Sequence, residues 1–277
     1  MKIPAAVLAA SLTLLGQGRA EECRYEEERH AVLDASEARL LKVVARAGSL
    51  RIEGRSDLKR VRVEGVACAH DRDDLEKIQL ITDDAGSTLR VEARLPGGSS
   101  WNWNWGHHSP KLDLVIEVPD TLPLDVRDTS GGIEIRAVGD LELDDSSGGI
   151  EVEDVRGSLV LNDSSGGIKI EQVAGDARLR DSSGRISIRD VGRSVLIERD
   201  SSGAIQISEV RGDVRIERDG SGSITVSDVG GSVNVGQDGS GSISVSRVKG
   251  DFSVGRDGSG GIDYDRVAGR VSVPHRR

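Results

Sequence analysis

One short pattern recurs so regularly that it limits what this chain can fold into. Ser-Gly occurs at Ser130-Gly131, Ser147-Gly148, Ser165-Gly166, Ser183-Gly184, Ser202-Gly203, Ser221-Gly222, Ser240-Gly241 and Ser259-Gly260, in steps of 17 to 19 residues. After each comes an apolar alternation such as Ile224-x-Val226-x-x-Val229, then Val233-x-Val235. Side chains two apart share one face of a strand, so each repeat reads as two short strands separated by turns. A lone hairpin of this kind cannot hide its apolar face, whereas stacked repeats bury it against one another. The expected fold is therefore all-β: a single-stranded parallel β-solenoid (β-helix) with 17–19-residue rungs. The usual hand of parallel crossovers makes it right-handed. Eight rungs at the strand spacing give a rod of roughly 38 Å.

Composition fits this reading and little else. The 277-residue chain has 35 Gly, 26 of them beyond residue 128, but only three Trp, two Tyr and one Phe. Glycine suits tight corners, and a narrow interior of Val, Ile and Leu needs few rings. Phe252 and Tyr264 are late exceptions to that small-residue interior. No Pro occurs between Leu124 and Val273, as ladders on both edges of every strand require. Rungs this short cannot form four-stranded propeller blades. Residues 128–277 are expected to hold eight regular repeats. Residues 21–127 read as an irregular β region and cap continuous with them, including a turn or short helix near Asp71–Glu76.

The first twenty residues carry Lys2, an apolar run from Ala5 to Gly16, and Gly18-Arg19-Ala20 before a cut, which predicts a signal peptide over 1–20. That run is too short to span a bilayer, and no later segment suggests a transmembrane span. Cys23 and Cys68 then lie in an exported chain, where a disulfide between them is the preferred reading over two buried thiols. The formal charge of -10, with basic and acidic residues interspersed throughout, argues against nucleic acid as a partner.

Two polar features are candidates for function. An Asp precedes each repeated Ser by two residues: Asp128, Asp145, Asp163, Asp181, Asp200, Asp219, Asp238 and Asp257. Each is expected to accept N–H bonds from its own turn, with Arg127, Arg180, Arg199, Arg218 and Arg256 supplying nearby positive charge. The alternative is a row of calcium sites, although the Gly-Gly-x-Gly-x-Asp nonapeptide is missing. The second feature is a segment bounded by Pro96 and Pro110 that holds Trp101, Trp103, Trp105, His107 and His108. Extended, it sets all three indoles on one side, either as a platform for a sugar or apolar partner or as a cover for an exposed sheet end. Adjacent His107 and His108 would face opposite ways, a poor metal pair.

Catalysis finds little support. Pairs such as Asp144-Asp145 invite comparison with the lyases and hydrolases built on parallel β-helices. However, the repeats after residue 128 have no insertion long enough to wall a cleft, and no nucleophile and base group together. Ice binding would need rows of Thr, and only Thr225 stands in such a column.

Ser49-Leu50-Arg51-Ile52-Glu53-Gly54, Ile116-Glu117-Val118-Pro119 and the serial Ser-Gly-x-Ile-x-Ile repeats carry a family likeness. The chain resembles the bacterial putative-adhesin family of β-strand-repeat proteins, related to toastrack and auto-transporter-adhesin-head domains. The resemblance implies a non-enzymatic solenoid scaffold at the cell envelope, in adhesion or envelope-stress sensing, with envelope polysaccharide or protein as partner. It brings no catalytic residues and no cofactor. No sorting signal, barrel or anchor is read in the sequence, so periplasmic residence is expected ahead of secretion or surface display.

Overall fold

The computed structural model describes residues 23–84, 86–96 and 109–274. From residue 124 onward, strands alternate between two facing sheets. One sheet takes β8 (Leu124–Arg127), β10 (Leu141–Asp144), β12 (Leu159–Asn162), β14 (Ala177–Arg180), β16 (Val195–Arg199), β18 (Val214–Asp219), β20 (Val233–Ser240), β22 (Phe252–Ser259) and β24 (Val271–Ser272). The other takes β9 (Ile133–Val138), β11 (Ile150–Val155), β13 (Ile168–Val173), β15 (Ile186–Val191), β17 (Ile205–Val210), β19 (Ile224–Val229), β21 (Ile243–Val248) and β23 (Ile262–Val267). All these neighbours pair in parallel, like residue over like: Ile150 lies over Ile133 and under Ile168, and Val152 over Ile135 and under Ile170. The result is the expected β-solenoid, with aliphatic columns buried to 2 % exposure or less through most rungs.

The lengthening of the rung from 17 to 19 residues has two local causes. Arg156 is an added corner residue with no counterpart between Val138 and Leu141, and its guanidinium reaches buried Asp120 at 2.7 Å. Glu198 is a bulge: Leu179 pairs with Ile197 but Arg180 with Arg199, and the extra carboxylate meets Arg180 and Arg178 outside the sheet.

The N-terminal region extends the same two sheets in an order the sequence spacing does not predict. It comprises β1 (Tyr25–Asp34), β2 (Leu40–Val44), β3 (Leu50–Arg55), β4 (Arg60–Ala69), α1 (Arg72–Lys77), β5 (Gln79–Asp83), β6 (Thr88–Arg94) and β7 (Lys111–Pro119). β2 pairs with β8 and β3 with β9, making one more rung, and β6 with β7 stack beyond it. The chain therefore passes from β7 to β8 across a rung already occupied by β2 and β3. β4 runs antiparallel to β7 and β1, and β5 antiparallel to β6. Asp71 caps α1 by accepting the Asp74 N–H at 2.8 Å, so the segment read as a turn or helix is a helix.

Cys23 and Cys68 form the expected disulfide, with Cα atoms 5.5 Å apart, tying the start of β1 to β4. Closing a loop of 45 residues contributes about 4 kcal/mol by the chain-entropy relation.

Candidate functional site

Each rung has two corners, and they are built differently. At the first, between β8 and β9 and its equivalents, Gly131, Gly148, Gly166, Gly184, Gly203, Gly222, Gly241 and Gly260 adopt φ between +131° and +144°. They stack so closely that a Cβ on Gly222 would lie 1.5 Å from the carbonyl oxygen of Gly203. Glycine is required here by both torsion and space, which accounts for much of the glycine excess.

The second corner, which turns the chain back into the other sheet, also has a left-handed residue, but that position is not a glycine. Ala137, Asp154, Gln172, Asp190, Glu209, Asp228, Arg247 and Arg266 all have φ of +52° to +59°. Nothing in composition marks these positions. Their signal is purely positional: each precedes the Val that closes the first strand of its repeat.

The repeated aspartates lie at the first corner, on the inward face beside the second strand's aliphatic pair. From Asp128 to Asp238 they are 1–7 % exposed. As expected for an Asx-turn, Asp145 Oδ1 accepts the N–H groups of Ser146 and Ser147 at 2.7 and 3.3 Å, and Asp163 and Asp181 repeat this with their own serines. The second oxygen of Asp145, Asp163, Asp181 and Asp200 is buried without a hydrogen-bond partner. Above Asp128 the column continues as buried Ala45 and Ala93, so the row of acids begins abruptly.

The expected compensation by arginine is not present. Alternation along the strand turns each preceding Arg outward: Arg127 faces Asp125 and Asp144, and Arg180 faces Glu198, with both side chains more than 60 % exposed. Burial beside like charges then favours the neutral carboxylic acid. Burial pushes Asp128 up to about 7 and Asp200 to about 6. Asp219 rises to about 7, through burial first and then the charges of Asp200 and Asp238. Asp145, Asp163, Asp181 and Asp238 also rise, chiefly through burial. A carboxylic acid can donate its proton to the rung above or below, which a row of carboxylates cannot do.

The calcium reading asks for six to eight oxygens around one ion. Each rung presents one carboxylate here, and its first oxygen is committed to its own turn where the serine bonds form. Among the described residues, no group of three or more His, Cys, Asp or Glu side chains is arranged to hold a metal ion.

A second acidic column at the other corner was missed in the sequence. Asp140, Ser158, Asp176, Ser194, Asp213, Ser232 and Asp251 alternate from rung to rung. Asp140 Oδ1 accepts the Ser158 N–H at 2.7 Å, Ser158 Oγ accepts the Asp176 N–H at 3.4 Å, and the exchange continues up to the Arg270 N–H on Asp251 at 2.7 Å. The signal was legible as a period of two rungs.

Trp101, Trp103, Trp105, His107 and His108 lie outside the described residues. The described strands β6 and β7 flank them in the chain and lie in register with β2 and β3, whose own connection, Ala45–Ser49, is as short as Asp128–Gly132 between β8 and β9.

Two shallow grooves mark the surface. One of about 670 Å³ runs along the left-handed corner over Val210, Val229 and Val248, between Glu209 and Asp228 on one side and Arg211 and Lys249 on the other. Another of about 770 Å³ crosses the outward face near Arg51, Glu134, Glu151 and Lys169, whose charges pair with one another. Neither groove's lining includes a Cys, a His or a nucleophile set against a base.

The family model Toastrack DUF4097 matches residues 42–261, from β2 to the last Gly corner. The chain belongs to the Toastrack DUF4097 family. This toastrack chain also resembles three solved structures at low identity. One is a putative lipid binding protein from Parabacteroides distasonis, 14 % identical, covering 92 % of this chain and 99 % of that one, with a TM-score of 0.40. A putative adhesin from the same organism is 15 % identical over 90 % and 97 % of the two chains, with a TM-score of 0.30. A putative adhesin from Bacteroides fragilis is 13 % identical over 91 % and 98 %, with a TM-score of 0.32. No curated protein matches the toastrack sequence.

Proposed function

We propose that the chain is an exported, non-enzymatic solenoid scaffold that makes an adhesin-like contact with envelope polysaccharide through the segment 97–108. The observation that carries this reading is the contrast between one corner and all its equivalents. The other first corners turn in about five residues held by stacked glycines, whereas the sequence here spends sixteen additional residues and half of the chain's aromatic side chains. An insertion on a rigid stack costs little in loop closure and gains a fixed base, the usual arrangement for a recognition loop. Indole rings and neighbouring Asn102 and Asn104 offer stacking faces and amide hydrogen bonds, the chemistry that pyranose rings require. Removal of residues 1–20 would deliver the scaffold to the periplasm, where its disulfide persists.

The test is retention of the protein on envelope polysaccharide and on membrane fractions, beside a variant with Trp101→Ala, Trp103→Ala and Trp105→Ala together. Loss of polysaccharide retention with unchanged melting supports the reading. Equal retention removes the segment from the account, and retention only on protein-containing fractions replaces the polysaccharide with a protein partner. New reducing or unsaturated ends on uronic-acid polymers would replace the scaffold with a lyase or hydrolase.

A further inference from the structure

The geometry points to the C-terminal end of the rod as a two-fold docking surface for a second copy of this chain. β23 pairs only with β21, and β24 only with β22, so each presents one backbone edge with no strand on it among the described residues. Ile262, Tyr264, Val267, Val271 and Val273 are left partly exposed where the columns directly beneath them are buried; Tyr264 is 51 % exposed above Val245 at 1 %. An apolar cross-section framed by two open edges is a template for further strands.

The outward residues of this last rung depart from the repeat. The column Gln206, Thr225, Ser244 ends in Asp263, and Ser208, Ser227, Ser246 ends in Asp265. The alternating corner column, due a serine after Asp251, ends in Arg270. Charged side chains thus replace small polar ones at the end face.

A two-fold axis perpendicular to the rod and parallel to the strands, passing between the sheets, would set β23 antiparallel to β24 of the second copy, and the reverse. Rotation about that axis permits no sliding along the strands. The paired residues must therefore be those that face each other across the core of one rung. The Tyr264 ring lies 6.0 Å from that of Phe252, the residue directly beneath Val271. Tyr264 accordingly faces Val271, and Ile262 faces Val273. The imposed register sets Tyr264 against Val271 of the second copy, Ile262 against Val273, Asp263 against Ser272 and Asp265 against Arg270. Apolar meets apolar, and no outward pair sets like charges together: Asp265 meets Arg270, and Asp263 meets neutral Ser272. The other two-fold, which sets β23 against itself, brings Asp263 and Asp265 onto the same acids of the second copy and is disfavoured.

Sedimentation equilibrium of the intact chain tests this interface, which is independent of what the segment 97–108 binds. Twice the chain mass is expected. Asp265→Arg and Arg270→Asp should each weaken association by at least about tenfold, through like charges set opposite one another, and the double variant should recover it. Asp263→Cys with Ser272→Cys should form disulfides between chains under oxidation, because those residues lie on opposite outer faces within one chain. A monomer at about 100 μM overturns the proposal, since that is far above the Kd of a specific dimer. A dimer indifferent to both charge reversals, or a double variant that fails to recover, overturns it equally.

Discussion

Raising the pH should loosen this solenoid, and the aspartate column sets the direction. Asp200 is 1 % exposed, its Oδ1 accepts the Ser202 N–H at 3.2 Å, and its Oδ2 has no partner. Burial and the charge of Asp181 raise it from an ordinary value of 3.8 to about 6. A carboxyl whose folded-state value is raised contributes stability that is fully present below its unfolded value. That contribution is lost as pH rises through the folded value. For Asp200 the window is about pH 4 to 6, and for Asp128 and Asp219 it extends to about 7. Opposing groups are few: Asp34 in its turn with Ser36, Glu151 beside Lys169 and Asp228 beside Arg247 are held low, so their small surface contribution fades only on acidification. Stability should therefore peak near or below about pH 4. Replacing Asp200 with Asn keeps an oxygen for the turn and removes the charge. At pH 8 Asp200→Asn should stabilise by about 2 to 3 kcal/mol, or roughly 5 to 10 °C in melting temperature. At about pH 3, below the unfolded value, where the acid is neutral in both states, the gain should shrink to near zero. Thermal unfolding followed by circular dichroism across about pH 3 to 9 reads both. A melting temperature that is flat or rises from pH 5 to 8, or an Asn variant less stable at pH 8, would refute the argument.

Two further outcomes test the frame around that column. Gly222→Ala should destabilise by more than about 3 kcal/mol, because its Cβ would sit 1.5 Å from a backbone oxygen at φ +138°. Ala at Gly149, where nothing lies within 4 Å, should be nearly neutral, and comparable losses at both sites in denaturant unfolding would sink the close-stacking explanation. Cys23→Ser with Cys68→Ser should cost up to about 4 kcal/mol, and the loss should fall on β1 and β4 while amide exchange in β15 to β21 holds.

How much of this was legible in the sequence depends on what each feature is periodic with. The strand pairs, their columns and the glycine corner repeat every rung, so a single repeat such as Gly222–Val235 displays them. Left-handed torsion at Gln172 or Arg247 has no residue type to announce it, because ladder bonds on both sides of the corner hold a conformation that side chain would not choose. The insertion of β2 and β3 between β7 and β8 was hidden for another reason. Spacing reveals which segments are rungs but not the order in which they stack, and β7 meets apolar columns of the same height on either side.

The two acidic columns show how far the arrangement of one residue type decides its chemistry. At the outer corner, Asp140, Asp176, Asp213 and Asp251 are separated by rungs carrying Ser158, Ser194 and Ser232. Each carboxylate sits two strand spacings from the next, near 10 Å, and accepts an N–H from the rung above. At the inner corner the acids recur in every rung, at half that distance and out of reach of water, with their arginines turned away. The same side chain that ties successive rungs together at one corner is pressed toward its neutral form at the other. The inner column therefore does not explain the fold's stability near neutral pH, which comes from the aliphatic columns and the double ladders. What it adds is a loss of stability with rising pH, spread along the rod from Asp128 onward.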